Sequence, residues 1–210
     1  MLNVALAVLS GLIWGVGDFA GGKATQRVAV LSVVWFSKLA SLPLLAIYLA
    51  AMYVPMTPTS LAWGGLAGVA GLVGLVLFYR ALSAGAMTIV APVTGVTSAA
   101  IPVVVGLVGG ERPGGFQLLG VGCALLAIAL VSIAPQPLGP RALVSWRLVA
   151  AALGAGISFA LFFILIDVAG DAAGGSAGLW PIAGSQLSSL IIGGLLLMLA
   201  RPGGLPRGAA

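Results

Sequence analysis

The 210-residue chain is 61% hydrophobic and 6% charged, carries a formal charge of +5, and contains one cysteine and no histidine. That composition lies outside the range of water-soluble globular domains and identifies an integral membrane protein. It also excludes an internal disulfide, histidine-dependent serine hydrolysis and HExxH metal chemistry.

Crossing roughly 30 Å of hydrocarbon takes about 20 apolar residues. Seven stretches meet that length, at 2 to 20, 29 to 53, 60 to 82, 86 to 109, 114 to 134, 147 to 169 and 178 to 200. They are long and do not alternate, so they read as helices rather than as barrel strands of about ten residues. No Lys or Arg precedes the first, which contains Trp14 and Asp18, so it reads as a retained helix and not as a cleaved signal. The second carries Lys38 well inside its apolar run, and the third ends on Arg80.

The fourth, within "VAPVTGVTSAAIPVVVGLVGGER" (90 to 112), holds two of its own breakers, Pro92 and Pro102, with Thr94, Thr97 and Ser98 between them. Each proline removes a backbone donor and leaves a carbonyl one turn earlier without its usual partner. Such gaps are tolerated where hydroxyls, water or a cavity supply one. This bent, hydroxylated helix is therefore a candidate wall of a solute path; the alternative is a kinked packing helix whose small residues let neighbours approach. Glu111-Arg112 reads as a polar pair at the span end, Gly114-Gly115 as the tight reversal into the fifth span, and Cys123 as a packing residue within it.

The longest break, Pro135 to Trp146, is too short for a soluble domain, so the chemistry must sit in the membrane. The basic residues are scattered over loop ends, which argues against a nucleic-acid partner. Lys23, Arg27, Arg80, Arg141, Arg147, Arg201 and Arg207 fall on one side of the membrane against Arg112 on the other. By the positive-inside rule the first side is cytoplasmic and the N-terminus lies outside.

The chain also repeats itself. "LIWGVGDFAGG" (12 to 22) followed by "WFSKLASLPLL" (35 to 45) is echoed by "LFFILIDVAGD" (161 to 171) followed by "AGSQLSSLIIG" (183 to 193). One inserted residue aligns Asp18 with Asp167 and Lys38 with Gln186. Five spans separate the starts of the two copies, an odd number, so the second enters the membrane from the opposite face. Inverted repeats of this kind are characteristic of secondary transporters.

At this level of detail the sequence resembles the EamA-type branch of the drug/metabolite transporter superfamily. The resemblance is carried by Phe78-Tyr79-Arg80-Ala81-Leu82, Ala91-Pro92, Gly110-Glu111-Arg112 and Gln117-Leu118-Leu119-Gly120 in order, with "WGVGDFAGG" (14 to 22) and "LFFILIDVAG" (161 to 170) opening the two copies. It implies two inverted repeats of five helices around a cavity that exchanges sides to move small organic solutes, in a bacterial inner membrane and with the N-terminus in the cytoplasm. The last point conflicts with the loop charges and leaves the orientation open. Matching "MYVPMTP" (52 to 58) to "ARPGGLP" (200 to 206) leaves the second copy two helices long. The expected organisation is thus all-α integral membrane, with a five-helix repeat at 1 to 134, a linker at 135 to 146 and a partial second repeat at 147 to 210.

Intramembrane charges are costly unless paired or wetted, which singles out Asp18 and Lys38. They lie toward the same face on consecutive helices, with Arg80 ending the third span on that face. They are candidates for a structural bridge, for one that breaks and re-forms as the cavity changes sides, or, for Asp18, for proton exchange; snorkelling is the plain alternative for Asp18. Asp167 belongs near the opposite face, and Gln186 takes the place of Lys38, so any ion pair is not duplicated. Trp14, Trp35, Tyr79, Phe162, Phe163 and Trp180 are candidates for stacking on an aromatic or apolar solute, although interfacial belts and helix packing account for most membrane aromatics.

No cofactor or metal is expected, and no GxxxxGK[ST] loop marks a nucleotide-driven pump. The expected partners are the lipid bilayer and a small solute, an amino acid or drug-like molecule moved outward, with dimerisation or missing C-terminal helices as a further possibility. Two competing readings are a partner-dependent or inactive membrane scaffold and a GxGD-type aspartyl protease using Asp18 of Gly15-Val16-Gly17-Asp18 with Asp167. The second is disfavoured because no Pro-Ala-Leu tripeptide occurs.

Overall fold

The computed structural model describes residues 2–84, 87–133, 145–175 and 177–200. They form α1 (Leu2–Ala24), α2 (Val30–Met52), α3 (Pro58–Ser83), α4 (Met87–Val108), α5 (Gly115–Ile133), α6 (Trp146–Asp171) and α7 (Trp180–Leu199), with no strand among the described residues. All but α5 are long and apolar enough to cross a membrane. The 19 residues of α5 rise about 28 Å at 1.5 Å per residue, close to the thickness of the hydrocarbon core. The chain is an all-α multi-pass membrane protein. Most of the linker expected at 135 to 146, together with Arg141, Arg201, Arg207 and nearly all of "ARPGGLP", lies outside the described residues.

The helices fall within a few residues of the apolar stretches, and the departures have physical causes. α1 runs on to Ala24 through Gly21 and Gly22. Those glycines are close-packing positions rather than breaks: a side chain at Gly21 would meet the Tyr79 ring, and one at Gly22 the Leu82 side chain. The reversal after α4 is made by Gly110, at a left-handed φ of 94°, with the Glu111 amide closing on the Gly106 carbonyl at 2.9 Å. Gly114 and Gly115 do not make that left-handed step; the Gly114 N–H donates to Gln117 Oε1 at 2.8 Å as α5 begins. Cys123 is exposed on α5 and does not pack.

Two compact units make up the chain. The first comprises Met1–Val33 and Val73–Leu161. Its core is the end of α3, where Phe78, Tyr79, Ala81 and Leu82 are buried, with Val90 and Thr94 of α4 and Ala152, Ala155 and Ala160 of α6. Phe78 meets Phe159 edge-on, with ring centroids 6.0 Å apart. Gly74 admits Phe159 and Ser158, and Gly156 admits Thr97, so small residues set how closely α3 and α4 approach α6.

The second unit comprises Val34–Leu72 and Phe162–Ala210. Here α3 and α7 touch backbone to backbone. Any side-chain carbon at Gly64 would strike the Pro181 main chain, one at Gly68 the Ser185 main chain, and one at Gly184 the Leu61 carbonyl. Lipid tails are as apolar as leucine, so packing and hydrogen bonds, not water exclusion, hold such helices together. Ser189 supplies one of those bonds, donating to the Gly68 carbonyl at 2.9 Å while itself buried.

Candidate functional site

Polar side chains are concentrated in the second unit, where α2 and α7 run antiparallel. Three ties place them. The Trp35 indole N–H donates to the Leu190 carbonyl at 3.0 Å, and the Trp180 indole to the Val54 carbonyl at 2.8 Å. Between them the Gln186 amide nitrogen donates to the Ser41 hydroxyl. The Trp35 ring lies over Gly193 and Gly194, which a larger residue would displace.

Lys38 sits between two of these ties. Residues three apart on a helix share a face, so Trp35, Lys38 and Ser41 follow one another up the side of α2 that meets α7. Lys38 is half-buried, and within its unit its ammonium has no ion-pair or hydrogen-bond partner among the described residues. It stands about 12 Å along α2 from Val30, counting 1.5 Å per residue, at a depth where water is scarce. Gln186, its repeat counterpart, is buried at 9% exposure, and its Oε1 atom accepts no hydrogen bond. Gln186 thus meets α2 at Ser41, one turn along the helix from Lys38.

The surrounding hydroxyls turn inward on their own helices. Ser37 donates to Val34, Ser41 to Lys38, Ser185 to Ile182 and Ser188 to Ser185, each through a backbone carbonyl three residues earlier. Their hydrogens are committed, and what they offer to anything beside them is lone pairs.

The remaining candidates lie in the first unit, apart from Asp167. Asp18 is half-buried on α1, and Tyr79 is buried against Gly21, one turn further along the α1 face that Asp18 shares. Trp14 is 57% exposed on α1, Arg80 is exposed near the end of α3, and Asp167 is exposed on α6. Asp18 and Lys38 belong to different units.

α4 is helical through both prolines, and Pro92 and Pro102 are half-buried. Its hydroxyls do not mend the gap that Pro102 opens at the Ser98 carbonyl. Thr97 donates to Val93, Ser98 to Gly95, and buried Thr94 reaches across to the Ala152 carbonyl of α6 at 3.0 Å. Thr94 therefore acts as an interhelical tie. Thr94→Val is expected to cost about 1 kcal/mol, read as a fall in unfolding temperature; an unchanged transition would mean that the tie contributes nothing.

Sequence reasoning overlooked Ser41, Ser189, Gly64 and Gly68. The spacing of Gly64 and Gly68, a small residue every fourth position, was the available signal. Ser41 and Ser189 carry no pattern of their own, since either would serve as well facing lipid with its hydroxyl bonded back.

In comparison with known proteins, residues 1–133 match the model of the EamA-like transporter family. No curated protein and no solved structure matches the chain.

Proposed function

The chain belongs to the EamA-like transporter family, and from that membership we propose that it is a secondary carrier moving a small organic solute by alternating access, outward across a bacterial inner membrane. The observation that carries this reading is the placement of Lys38 and Gln186. A lysine without a protein partner in its unit and a buried carboxamide with an unused acceptor face each other's helices within spans that are otherwise apolar. A protein that only filled the membrane would gain stability by replacing both with leucine, because unpaired polar groups in hydrocarbon are costly.

The inverted repeat supports alternation, since two related halves entering from opposite faces supply equivalent routes to each side. Energy would come from a solute or ion gradient. The test is exchange in reconstituted vesicles: protein-containing vesicles loaded with a mixture of small labelled amino acids, organic acids and amines should release at least one of them faster than protein-free vesicles. Identical release for every solute would sink the reading.

A further inference from the structure

We propose that Lys38 and Gln186 form a two-point polar subsite, and that the solute it takes is an organic acid carrying a hydrogen-bond donor next to its carboxylate. This deepens the carrier reading and rests on it.

The orientation of the Gln186 amide follows from its neighbour. Ser41 spends its hydroxyl hydrogen on the Lys38 carbonyl at 2.8 Å, so toward α7 it can only accept. The Gln186 nitrogen must therefore face Ser41, as it does, and Oε1 points away with its lone pairs unused. That oxygen is buried and has no access to bulk solvent. A buried amide oxygen is normally satisfied, and what it lacks is a donor. Ser185 and Ser188, its neighbours along α7, lie against Gly68 of α3 and give their hydrogens to main-chain carbonyls, so neither supplies one.

Lys38 has the opposite deficiency. It occupies the same face of α2 as Trp35 and Ser41, both tied to α7, so its stem emerges between those ties. An ammonium in hydrocarbon needs an anion, and the carboxylates described in its unit, Asp167 and Asp171, are both exposed on α6. The interface thus offers one cation and one unpaired acceptor, beside the Ser41 hydroxyl, which presents only lone pairs. A carboxylate answers the first with a charge-assisted bond. A hydroxyl or ammonium hydrogen beside it answers the second. A solute with only one of these groups leaves the other protein atom unsatisfied, and sites with buried polar groups discriminate strongly against such analogues.

The test uses the full chain in lipid nanodiscs and equilibrium binding of two matched pairs of labelled acids, lactate with propionate and mandelate with phenylacetate, which differ by one hydroxyl adjacent to the carboxylate. The hydroxy acid of each pair is expected to bind at least tenfold more tightly. Gln186→Leu should bring that ratio close to one and leave the plain acid's affinity unchanged; Gln186→Met serves the same purpose if the leucine variant folds poorly. Lys38→Met should weaken both members.

Equal binding within both pairs, or a preference that survives loss of the amide, overturns the subsite. A direct bond from Lys38 to Gln186 that satisfies both groups without any solute would give that first result together with loss of thermal stability in Gln186→Leu. If neither pair binds while the vesicles described above still exchange another solute, the subsite is wrong and the carrier reading stands. Vesicles that exchange nothing overturn both.

Discussion

Gly68→Ala is expected to lower the stability of the protein by about 3 kcal/mol, at the upper end of what overpacking costs, and its unfolding temperature by roughly 10 °C. The added methyl has no room. It would lie against the Ser185 main chain and the Ser188 hydroxyl, and the main chain of a transmembrane helix cannot rotate aside as a side-chain tip can. Separating α3 from α7 would also stretch the bond from Ser189 to the Gly68 carbonyl. The control lies three residues away: a side chain at Gly65 meets nothing within 4 Å, so Gly65→Ala should be neutral or gain up to about 1 kcal/mol from helix propensity. Thermal unfolding of the two variants in one detergent decides the matter. Equal transitions would mean that α3 and α7 do not meet through Gly68.

Lys38→Met is expected to reduce solute exchange about 100-fold, the upper range for losing a charge-assisted hydrogen bond, while leaving the yield and stability of folded protein unchanged or improved. The sign of the stability change separates the two roles this lysine can have. A lysine held for structure is missed when removed, and its loss destabilises. A lysine held for a solute is a burden to the empty protein, because its charge is kept in hydrocarbon without a partner. Initial exchange rates at limiting and saturating solute, measured beside thermal unfolding, give both readouts. Normal exchange by the methionine variant at both concentrations would remove Lys38 from the solute path.

The helical architecture was legible in the sequence because membrane helices need only length and hydrophobicity, and both are local. Asp18 and Lys38 stood out for the same reason, as charges within apolar runs. Hydroxyl partners were not legible. Thr94 and Thr97 both face α6, yet Thr94 bonds across to the Ala152 carbonyl while Thr97 packs on Gly156 and bonds back to Val93; nothing in their local sequence separates the two. The tight meeting of α3 and α7 was missed because Gly64 and Gly68 gain meaning only when Pro181 and Ser185 are known to lie opposite. The repeat alignment pointed from Lys38 to Gln186, but only the Ser41 contact places Gln186 against α2, one turn from Lys38.

The self-bonded serines of α2 and α7 bear on how such a protein could be energised. A proton moves along a row of hydroxyls only if each can release its own hydrogen forward as it receives another from behind. Ser37, Ser41, Ser185 and Ser188 each hold theirs on a carbonyl one turn back, so every hop would first break a bond to the main chain. Each hop along this lane therefore costs one main-chain hydrogen bond. That cost disfavours a relay through these hydroxyls and leaves Lys38, water or the solute itself to carry any proton across the second unit.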